Sequence, residues 1–591
     1  MKTARQSLID SIFPLLLALI IGGLAGLGAV FFRWLIGFET SLFWSGEGSF
    51  LEQYQHASPW LKFGAPVLAG LAMGPLLAYF APEVRGPGVP EVMASLALRD
   101  GVIRHRVTLA KSFATATFIA AGGSVGREGP IVQIGSSIGS SLSQLFRLGP
   151  DHRRLAVACG AAAGIAATFQ APMAGTLFAV EVLLFDLEVA SLSNIVIAAV
   201  TGTVVSKLFW SDETVFQIPF FTLTHPAELL LYFGLGIAAG LFSLLFMAFV
   251  FGLTRLLARI NIPVWLAPVM GGLVVGIVGL FRPEALGVGY DTINNVLHGH
   301  VVLAVAVLLL FAKLVTTSAC VGSGMSGGIF APSLFLGAAL GSVIGSLAQL
   351  IWPDTQLSPA HYALVGMGAV VAGTTLAPIT AILTIFELTY NYEIVLPLMT
   401  ACIPAIIVVR LLHGYSIYET KLLMQGIRIV RGHDANRLRN MKVQQYVSRD
   451  FYPLRTQTPF HDLMHDILTS SFPHFIVLDE QDRLAGVLTL RDVRRLLADP
   501  SYTGEGVVAA DLMKTSVISV GEDQNMEEAF HLFARHKISF MPVISGGNGK
   551  KVVGCLKKDD LLNAYNQHVL RDQVQPSARW ICKLPDRKKK G

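Results

Sequence analysis

The chain has 591 residues, of which 53% are hydrophobic and 14% charged, whereas soluble globular chains carry about 25% charged residues. This composition argues against an ordinary soluble enzyme. The charges are also unevenly distributed, because 43 of the 85 Lys, Arg, Asp and Glu residues lie in the last 161 positions. The first 430 residues therefore belong in a lipid bilayer and the remainder in water. The formal net charge of +5 gives no sign of a nucleic-acid surface.

The two ends of the chain indicate its orientation. The start, MKTARQ, precedes an apolar stretch that runs to Phe32 without a small-residue cleavage site, which predicts a first membrane helix with a cytoplasmic start instead of a signal peptide. The basic tail at 571–591 is expected to be a solvated cytoplasmic end. We therefore expect a multi-pass protein of the cell (inner or plasma) membrane. Five scattered cysteines form no CxxC or Cys/His spacing, so neither a disulfide framework nor a metal site is expected.

Apolar segments of two kinds follow along the chain. Because a membrane-spanning helix needs roughly 20 apolar residues, full spans are predicted at 12–36, 61–81, 190–209, 228–255, 264–281, 301–319 and 393–412. Segments interrupted by Gly and Pro lie at 108–122, 131–146, 155–167, 171–184, 330–350, 361–373 and 377–389. Irregular backbone at membrane depth is tolerated only where protein or a watery cavity surrounds it. The pattern therefore indicates a transporter or channel.

The membrane part contains an internal repeat. Residues 160–181 align without a gap on 366–387, sharing an Ala-Pro pair and the closing glutamates Glu181 and Glu387. Pro130, Gly135 and Gly139 recur 202 positions later as a second matching set. Duplicated halves with interrupted helices point to a binding site near the membrane midplane. We predict an all-α membrane domain over 1–425 with two related halves, roughly 1–215 and 216–425.

The soluble end has a repeat of its own. Residues 474–493 pair with 540–561, each reading as a strand, a polar turn, a second strand and a helix start. Amphipathic segments precede both copies. We predict a linker at 426–445 and two α/β units, at 446–500 and 508–570.

Three glycine-rich loops carry the chemistry of the membrane part. They are GPGVPE at 86–91, GREGP at 126–130 and GSGMSGGIFAP at 322–332, and each precedes an apolar helical run. Glycine allows backbone N–H groups to approach a ligand, and a helix start contributes partial positive charge. Such a loop can bind an anion without a full positive charge. Because partial charges attract the anion less strongly, the anion can also dissociate.

These loops, in this order and spacing, resemble the anion-pathway signatures of the CLC family of chloride channels and proton-coupled chloride exchangers. The soluble end resembles the paired CBS domains that many members carry. The resemblance implies an inverted-repeat helical fold, a homodimer with one pore in each subunit, and no enzymatic activity. Chloride or a related anion, protons and the lipid bilayer are the expected partners.

The resemblance also assigns roles by position. Glu128 resembles the gating glutamate, which blocks the anion site when deprotonated and swings away when protonated. Arg127 either forms an ion pair with it, or supports the loop and attracts anions. The backbone amides of Ile329 and Phe330 match the donors to the central anion. The remaining matches are anion contacts at Gly86, Pro87, Gly88 and Tyr418, with Tyr415 as the alternative to Tyr418, and supporting glycines at Gly126, Gly129, Gly327 and Gly328.

Two departures from the family pattern affect the expected function. Pro87 replaces a common serine and removes a hydroxyl donor; nitrate-preferring plant members also have proline there, so nitrate transport is a hypothesis. Val182 occupies the position of the internal proton-accepting glutamate of exchangers and cannot carry a proton. This position favours a passive channel, with a proton-coupled chloride or nitrate antiporter as the alternative. A CBS-regulated cation channel is a more remote alternative, because the glycine loops present donors instead of acidic ligands.

Two weaker patterns lie in the CBS-like end and in the membrane part. Thr489 and Asp492 match the CBS residues that hold an adenine nucleotide, and Asp560 repeats the Asp in the second unit, so a nucleotide is a possible ligand of an otherwise structural domain pair. No other cofactor is expected. The letters GSSIG at 135–139 fit a hydrolase nucleophile elbow but lack the preceding strand. Gly135 and Gly139 are instead expected to permit close helix packing.

Overall fold

The protein is described by a computed structural model that covers residues 2–46, 48–184, 189–210, 216, 221–223, 225–353, 357–427, 441–470, 472–489, 491–493, 506–536, 538–545 and 551–561. The chain forms two compact units, Met1–Ile429 and Val430–Gly591. Most of the predicted linker, the end of each predicted CBS domain and the predicted basic tail lie outside the described residues.

The described part of the first unit consists of helices and their connections. The helices of the first half are α1 (Lys2–Phe43), α2 (Phe50–His56), α3 (Pro59–Pro75), α4 (Val89–Leu98), α5 (Arg106–Ala120), α6 (Glu128–Leu145), α7 (Pro150–Phe169), α8 (Pro172–Phe178) and α9 (Val189–Phe209). Those of the second half are α10 (Glu228–Arg259), α11 (Ala267–Phe281), α12 (Tyr290–Leu297), α13 (Leu303–Gly322), α14 (Phe330–Ile351), α15 (Pro359–Thr375), α16 (Pro378–Thr389), α17 (Val395–Leu412) and α18 (Ile417–Met424). π-Helical turns at Leu76–Phe80 and Ala179–Leu184 extend α3 and α8, and 3₁₀ turns lie at Pro82–Val84, Pro283–Ala285 and Tyr392–Ile394.

Within the described residues, seven helical stretches are long and apolar enough to cross a membrane. Some predictions about single segments were wrong. The span predicted at 264–281 is the 15-residue helix α11, and the segment at 330–350, predicted to be interrupted, is the continuous 22-residue helix α14. The segments at 131–146, 155–167 and 361–373, also predicted to be interrupted, likewise fall in the continuous helices α6, α7 and α15. Pro332 does not interrupt α14 because it lies in the first turn, where backbone amides have no intrahelical acceptor.

Contacts between the two halves come in reciprocal pairs. The hydroxyls of Thr115 and Ser326 lie 2.7 Å apart, and those of Thr317 and Ser124 lie 3.0 Å apart. Each threonine of one pair is 202 positions from the threonine of the other, and the same holds for the serines. When residue i contacts j and the copy of j contacts the copy of i, the two bodies are related by a twofold rotation. The repeat therefore has the twofold relation expected of inverted halves.

Gly126 and Gly328 lie on this pseudo-twofold axis. They are themselves 202 positions apart and exchange two backbone hydrogen bonds, from Gly126 N–H to Gly328 O at 2.7 Å and from Gly328 N–H to Gly126 O at 2.6 Å. A residue that pairs with its own copy must lie at the axis. The GREGP and GSGMSGGIFAP loops thus meet at the centre of the membrane unit.

Helices α6 and α7, and their copies α14 and α15, pack backbone to backbone. A Cβ atom at Gly135 would lie 2.1 Å from Gly160 O, and one at Gly337 would lie 2.3 Å from Gly366 O. Any side chain at these glycines would force the helices apart. The glycines of GSSIG therefore serve helix packing, as predicted.

The second unit contains two sheets of the same topology. Their strands are β1 (Tyr452–Arg455), β2 (His474–Leu478) and β3 (Leu484–Thr489), then β4 (Val520–Gly521), β5 (Phe540–Ile544) and β6 (Val552–Lys557). In each sheet the first two strands are parallel and the last two antiparallel. The helices are α19 (Phe460–Thr469), α20 (Ala509–Leu512) and α21 (Met526–His536), and a 3₁₀ turn lies at Val443–Gln445. Helices α19 and α21 each make the crossover that parallel strands require, which matches the predicted strand-helix-strand-strand repeat.

Candidate functional site

The three glycine-rich loops of the sequence are in contact with one another. Gly327 N–H donates to Gly86 O at 3.2 Å. A Cβ atom at Gly129 would lie 2.2 Å from Pro87 O and 3.1 Å from Gly328 Cα. The loops therefore approach within backbone van der Waals distance, which glycine alone allows at this position.

Three helices begin at this meeting point. Helix α4 follows Gly88, whose φ of +90° is a conformation that glycine adopts readily. Helix α6 begins at Glu128, and α14 begins at Phe330 with Ile329 as its N-cap. Val89, Glu128 and Phe330, the first residues of the three helices, line one cavity. Three positive helix ends thus surround a single space, an arrangement that favours an anion.

Glu128 is buried at the centre of this arrangement, with 1% of its surface exposed. Its Oε2 accepts a hydrogen bond from the Ala331 backbone amide at 3.3 Å, and its Oε1 accepts one from the hydroxyl of Tyr290. The carboxylate therefore occupies the N-terminal end of α14, immediately beyond the amides of Ile329 and Phe330 that the family resemblance assigns to the anion. The carboxylate thus lies at a helix end of the kind that also favours an anion.

Tyr290 is a residue of the site that the sequence analysis did not identify. It opens α12 and follows Gly289, whose φ is +91°. A signal was present, because PEALGVGY at 283–290 matches PEVRGPGV at 82–89, with Pro, Glu and both glycines identical. Extending the internal repeat upstream would have placed Tyr290 at the position of Val89, and so at the start of a helix that reaches the axis.

Arg127 lies beside both Glu128 and Tyr290. Its Nε is 4.0 Å from Glu128 Oε1, and its guanidinium carbon lies 5.1 Å from the centre of the Tyr290 ring. The side chain is 14% exposed. The predicted ion pair is therefore present only at its distance limit, and the positive charge faces both partners of the hydrogen bond that holds the gate.

Tyr418 lines the same cavity as Glu128. It is 1% exposed and lines the cavity together with Glu128, whereas the alternative, Tyr415, is half-buried, does not line this cavity and has its ring 6.4 Å from that of His413. The cavity is lined by Val89, Glu128, Gly129, Val132, Ile165, Phe169, Phe178, Phe330, Thr380, Thr384 and Tyr418. The structure thus places Tyr418 with the predicted gate.

Two lysines hold the first glycine loop in place. Lys111 is buried and its Nζ donates to Val84 O at 2.9 Å and to Gly86 O at 2.7 Å. Lys421 of α18 donates to Arg85 O at 3.0 Å and forms an ion pair with Glu91. These contacts go to carbonyl oxygens of residues 84–86 and to a carboxylate in the first turn of α4. They fix the backbone of the loop, whose Gly86 N–H donates to Met325 O at 3.2 Å.

Glu181 and Glu387, the closing glutamates of the repeat, each cap the start of a helix in the opposite half. Glu387 accepts hydrogen bonds from the backbone amides of Met173 and Ala174 at 2.9 and 2.7 Å. Glu181 accepts reciprocally from the amides at 379 and 380, the second at 2.8 Å, and from the Thr380 hydroxyl. Val182 is buried beside it with 4% of its surface exposed. The acid nearest to the predicted inner proton site is therefore already engaged in capping α16.

The chain matches two known family models. The family model "Voltage gated chloride channel" matches residues 69–410, and the CBS domain model matches 443–499 and 508–567. The protein belongs to the CLC family. The two CBS matches correspond to the two sheets of the second unit, so the chain is a CLC protein with a CBS pair.

Relatives within this family carry names of both transport modes. The chain is 35% identical over 421 residues to the H(+)/Cl(-) exchange transporter ClcA of Cronobacter sakazakii (strain ATCC BAA-894), covering 69% of this chain and 89% of the relative. It is 33% identical over 409 residues to the voltage-gated ClC-type chloride channel ClcB of Escherichia coli O17:K52:H18 (strain UMN026 / ExPEC), covering 68% and 97%. A crystal structure of a slow cyanobacterial Cl-/H+ antiporter matches with a TM-score of 0.63 and 26% identity, covering 70% of this chain and 97% of that one.

The predicted nucleotide residues of the CBS pair are engaged with each other. Asp492 Oδ2 accepts from the Thr489 hydroxyl at 2.5 Å, and Lys514 Nζ lies 2.6 Å from Asp492 Oδ1. Partial burial acts to raise the pKa of Asp492, but the hydrogen bonds from Lys514 and Thr489 outweigh it and hold the pKa below its ordinary value of 3.8. In the second unit, Asp560 Oδ2 accepts from Lys557 N–H at 3.0 Å. Asp492 is therefore engaged within the domain by Thr489 and Lys514, which fits a structural role.

Among the described residues, no group of three or more His, Cys, Asp or Glu side chains could hold a metal ion. The polar groups of the membrane site are mostly donors: backbone amides, the Tyr418 hydroxyl and the Arg127 guanidinium. A cation would need oxygen acceptors in their place. The donor set therefore favours the anion hypothesis over the cation channel.

Proposed function

We propose that this CLC protein exchanges chloride for protons across the membrane, with Glu128 as the group that takes part in both movements. The observation that carries the proposal is the position of the Glu128 carboxylate, buried at the N-terminal end of α14 and lining the same cavity as Tyr418. The names of the ClcA relative and of the cyanobacterial antiporter support exchange over the passive channel that Val182 favoured.

The gate works by competition at the helix end. When Glu128 is charged, its carboxylate receives the Ala331 amide and the Tyr290 hydroxyl and excludes an anion from the same place. Protonation removes the charge, and a neutral carboxyl group is a weaker partner for both donors. The side chain then leaves, an anion replaces it, and the proton it carries has moved into the pathway.

The anion is held below the gate by partial charges. The amides of Ile329 and Phe330 and the hydroxyl of Tyr418 supply donors. Lys111 and Lys421 donate hydrogen bonds to backbone carbonyl oxygens of residues 84–86. An anion bound in this way keeps most of its mobility, because donors with partial charge attract it less than a bare ammonium group.

A passive channel is the second candidate, and Val182 is the observation that favours it. Valine has no ionisable group, and the adjacent Glu181 is committed to the first turn of α16. Proton transfer from the inner side then requires water to reach the cavity. The voltage-gated channel name of the Escherichia coli relative fits this candidate.

A flux experiment in proteoliposomes separates the two candidates. With chloride concentrated inside, exchange drives protons inward while chloride leaves, so the outer medium becomes alkaline. Glu128→Ala is expected to keep chloride flux and abolish the proton movement. Chloride efflux without any alkalinisation in the wild type would establish the channel. Val182→Glu is the matched variant that restores an acid at the inner position and is expected to increase the number of protons moved per chloride.

The preferred anion is a separate proposal. Pro87 lies in the first glycine loop and is buried beside Gly129, and it contributes no hydroxyl to the anion. We propose that nitrate passes as well as chloride. Pro87→Ser is expected to raise the chloride-to-nitrate flux ratio, and exclusion of nitrate by the wild type would contradict the proposal.

The remaining proposals concern the surroundings of the pore. We propose a homodimer with one pathway in each subunit, and both termini on the cytoplasmic side, as the family resemblance implies. The CBS pair is proposed to regulate flux, with an adenine nucleotide as its candidate ligand at Thr489 and Asp492. Displacement of Lys514 from Asp492 would be the first local consequence of such binding.

A further inference from the structure

A second pocket, distinct from the cavity that contains Glu128 and Tyr418, is lined in part by Arg127. It is formed by residues of α1, α7, α9 and the GREGP loop, and we call it the Arg33–Trp210 pocket. Its lining residues are Ala29, Val30, Phe32, Arg33, Arg127, Ala167, Thr168, Gln170, Ser206 and Trp210. None of these described lining residues is acidic, while two of them carry a permanent positive charge. Since two arginines with no acid among the described lining residues raise the local concentration of anions, this part of the lining favours a negatively charged ligand.

The polar groups of this pocket are arranged as donors. The Arg33 guanidinium carbon stacks 4.1 Å from the centre of the Trp210 ring, which fixes the orientation of both side chains. Trp210 Nε1 is a buried N–H donor without a hydrogen-bond partner among the described residues, whereas Arg127 Nε faces Glu128 Oε1 at 4.0 Å. A buried donor left unpaired is costly. The Trp210 donor in a pocket lined by two arginines therefore indicates a ligand that accepts hydrogen bonds.

The walls of the pocket are held by internal hydrogen bonds. Gln170 Nε2 donates to Trp210 O at 3.2 Å, and the Ser206 hydroxyl donates to Ala167 O at 2.7 Å. These bonds tie the C-terminal end of α7 to the end of α9. The pocket therefore has a fixed shape on rigid elements, which a binding site requires.

Arg127 connects this pocket to the gate. The same guanidinium lies 4.0 Å (Nε) from Glu128 Oε1 and 5.1 Å from the centre of the Tyr290 ring, while lining the Arg33–Trp210 pocket. We propose that the pocket binds a small inorganic anion of the transported kind. The anion would lie beside Arg127, the residue that precedes the proposed gate Glu128 in the sequence. The inference rests on the proposed anion transport and adds a loading site outside the cavity that contains Tyr418.

Bromide is the probe for the experiment, because its anomalous scattering locates it directly in crystals of the full chain. We expect one bromide peak in the cavity near Ile329, Phe330 and Tyr418, and a second in the Arg33–Trp210 pocket. Arg33→Gln is expected to remove only the second peak. Lys207→Gln, a change of equal charge on the exposed side of α9, is the matched control and should keep both.

Flux measurements test whether the bound anion loads the pathway. Loss of one charge-assisted contact is expected to raise the chloride concentration for half-maximal flux about tenfold in Arg33→Gln, with an unchanged maximum. Trp210→Phe keeps the stacked ring, removes the N–H donor and should raise it about threefold. Lys207→Gln should match the wild type.

The outcomes separate this inference from the proposed function. A bromide peak in the central cavity with none in the Arg33–Trp210 pocket overturns the inference and leaves anion transport standing. Absence of the central peak together with absence of chloride flux overturns the proposed function. A bromide peak in the pocket combined with an unchanged half-saturating concentration in Arg33→Gln overturns the loading role.

Discussion

Replacing Tyr290 by Phe removes one hydroxyl donor from the gate and should shift the pH dependence of chloride flux. The hydroxyl donates to Glu128 Oε1, and a hydrogen bond to a charged group contributes about 1.5–3 kcal/mol. Because about 1.4 kcal/mol corresponds to one pH unit, the loss could move the midpoint of flux by roughly 1–2 units. The Ala331 amide and the Arg127 charge remain, so we expect about one unit.

The sign of the shift follows from which form of Glu128 the hydroxyl stabilises. A donor favours the carboxylate, which is the blocking form, so Tyr290→Phe should open the pathway at higher pH and raise flux at neutral pH. Chloride efflux from proteoliposomes over a series of pH values measures the midpoint. Tyr232→Phe is the matched control, since Tyr232 is buried and stacks on Tyr362 at 4.7 Å. A midpoint that stays in place, or moves to lower pH, would refute the role of Tyr290.

Two further predictions concern stability. Glu387→Ala removes both acceptors of the Met173 and Ala174 amides and should lower the free energy of unfolding by about 1–2 kcal/mol. Thermal unfolding in detergent measures this loss, with the exposed Glu393→Ala as the control. Equal melting temperatures of Glu387→Ala and the wild type would contradict the capping role. Asp492→Asn should destabilise the CBS pair near neutral pH, because a carboxylate with a lowered pKa stabilises the fold above its unfolded value of 3.8 and loses this effect as the pH falls through its folded pKa. The difference in melting temperature from the wild type should therefore shrink below about pH 4, and a difference that persists in acid would disprove the pairing as its cause.

Local sequence patterns were sufficient to predict the parts of the site that depend on backbone. A glycine-rich loop followed by an apolar run predicts a helix start, and the helices beginning at Val89, Glu128 and Phe330 confirm this at all three loops. The gap-free repeat predicted two related halves, and the exchange of hydrogen bonds between Gly126 and Gly328 follows from it. These features depend on short stretches of chain, and such stretches carry their own signals.

The side chains that meet across the axis could not be predicted in the same way. Tyr290 is 162 positions from Glu128, and Lys421 is 330 positions from Glu91. Neither pair has a spacing that local sequence reasoning recognises, because each depends on how the two halves fold onto one another. The failure at α14 had a different cause: a proline near the start of a helix was interpreted as an interruption.

The repeat also shows how the proposed titratable gate, Glu128, comes to lie on one side of the axis only. The counterpart of Glu128, 202 positions later, is Phe330, and the counterpart of Tyr290, 201 positions earlier, is Val89. Glu128 and Tyr290 form a hydrogen bond with each other. Their counterparts, Phe330 and Val89, are both apolar and line the cavity together with Tyr418. A symmetric pair of carboxylates would block both ends and place two like charges near one anion. Divergence of the two halves at these positions leaves one carboxylate to compete with the anion in the proposed mechanism, and the two counterpart positions, Phe330 and Val89, carry no charge.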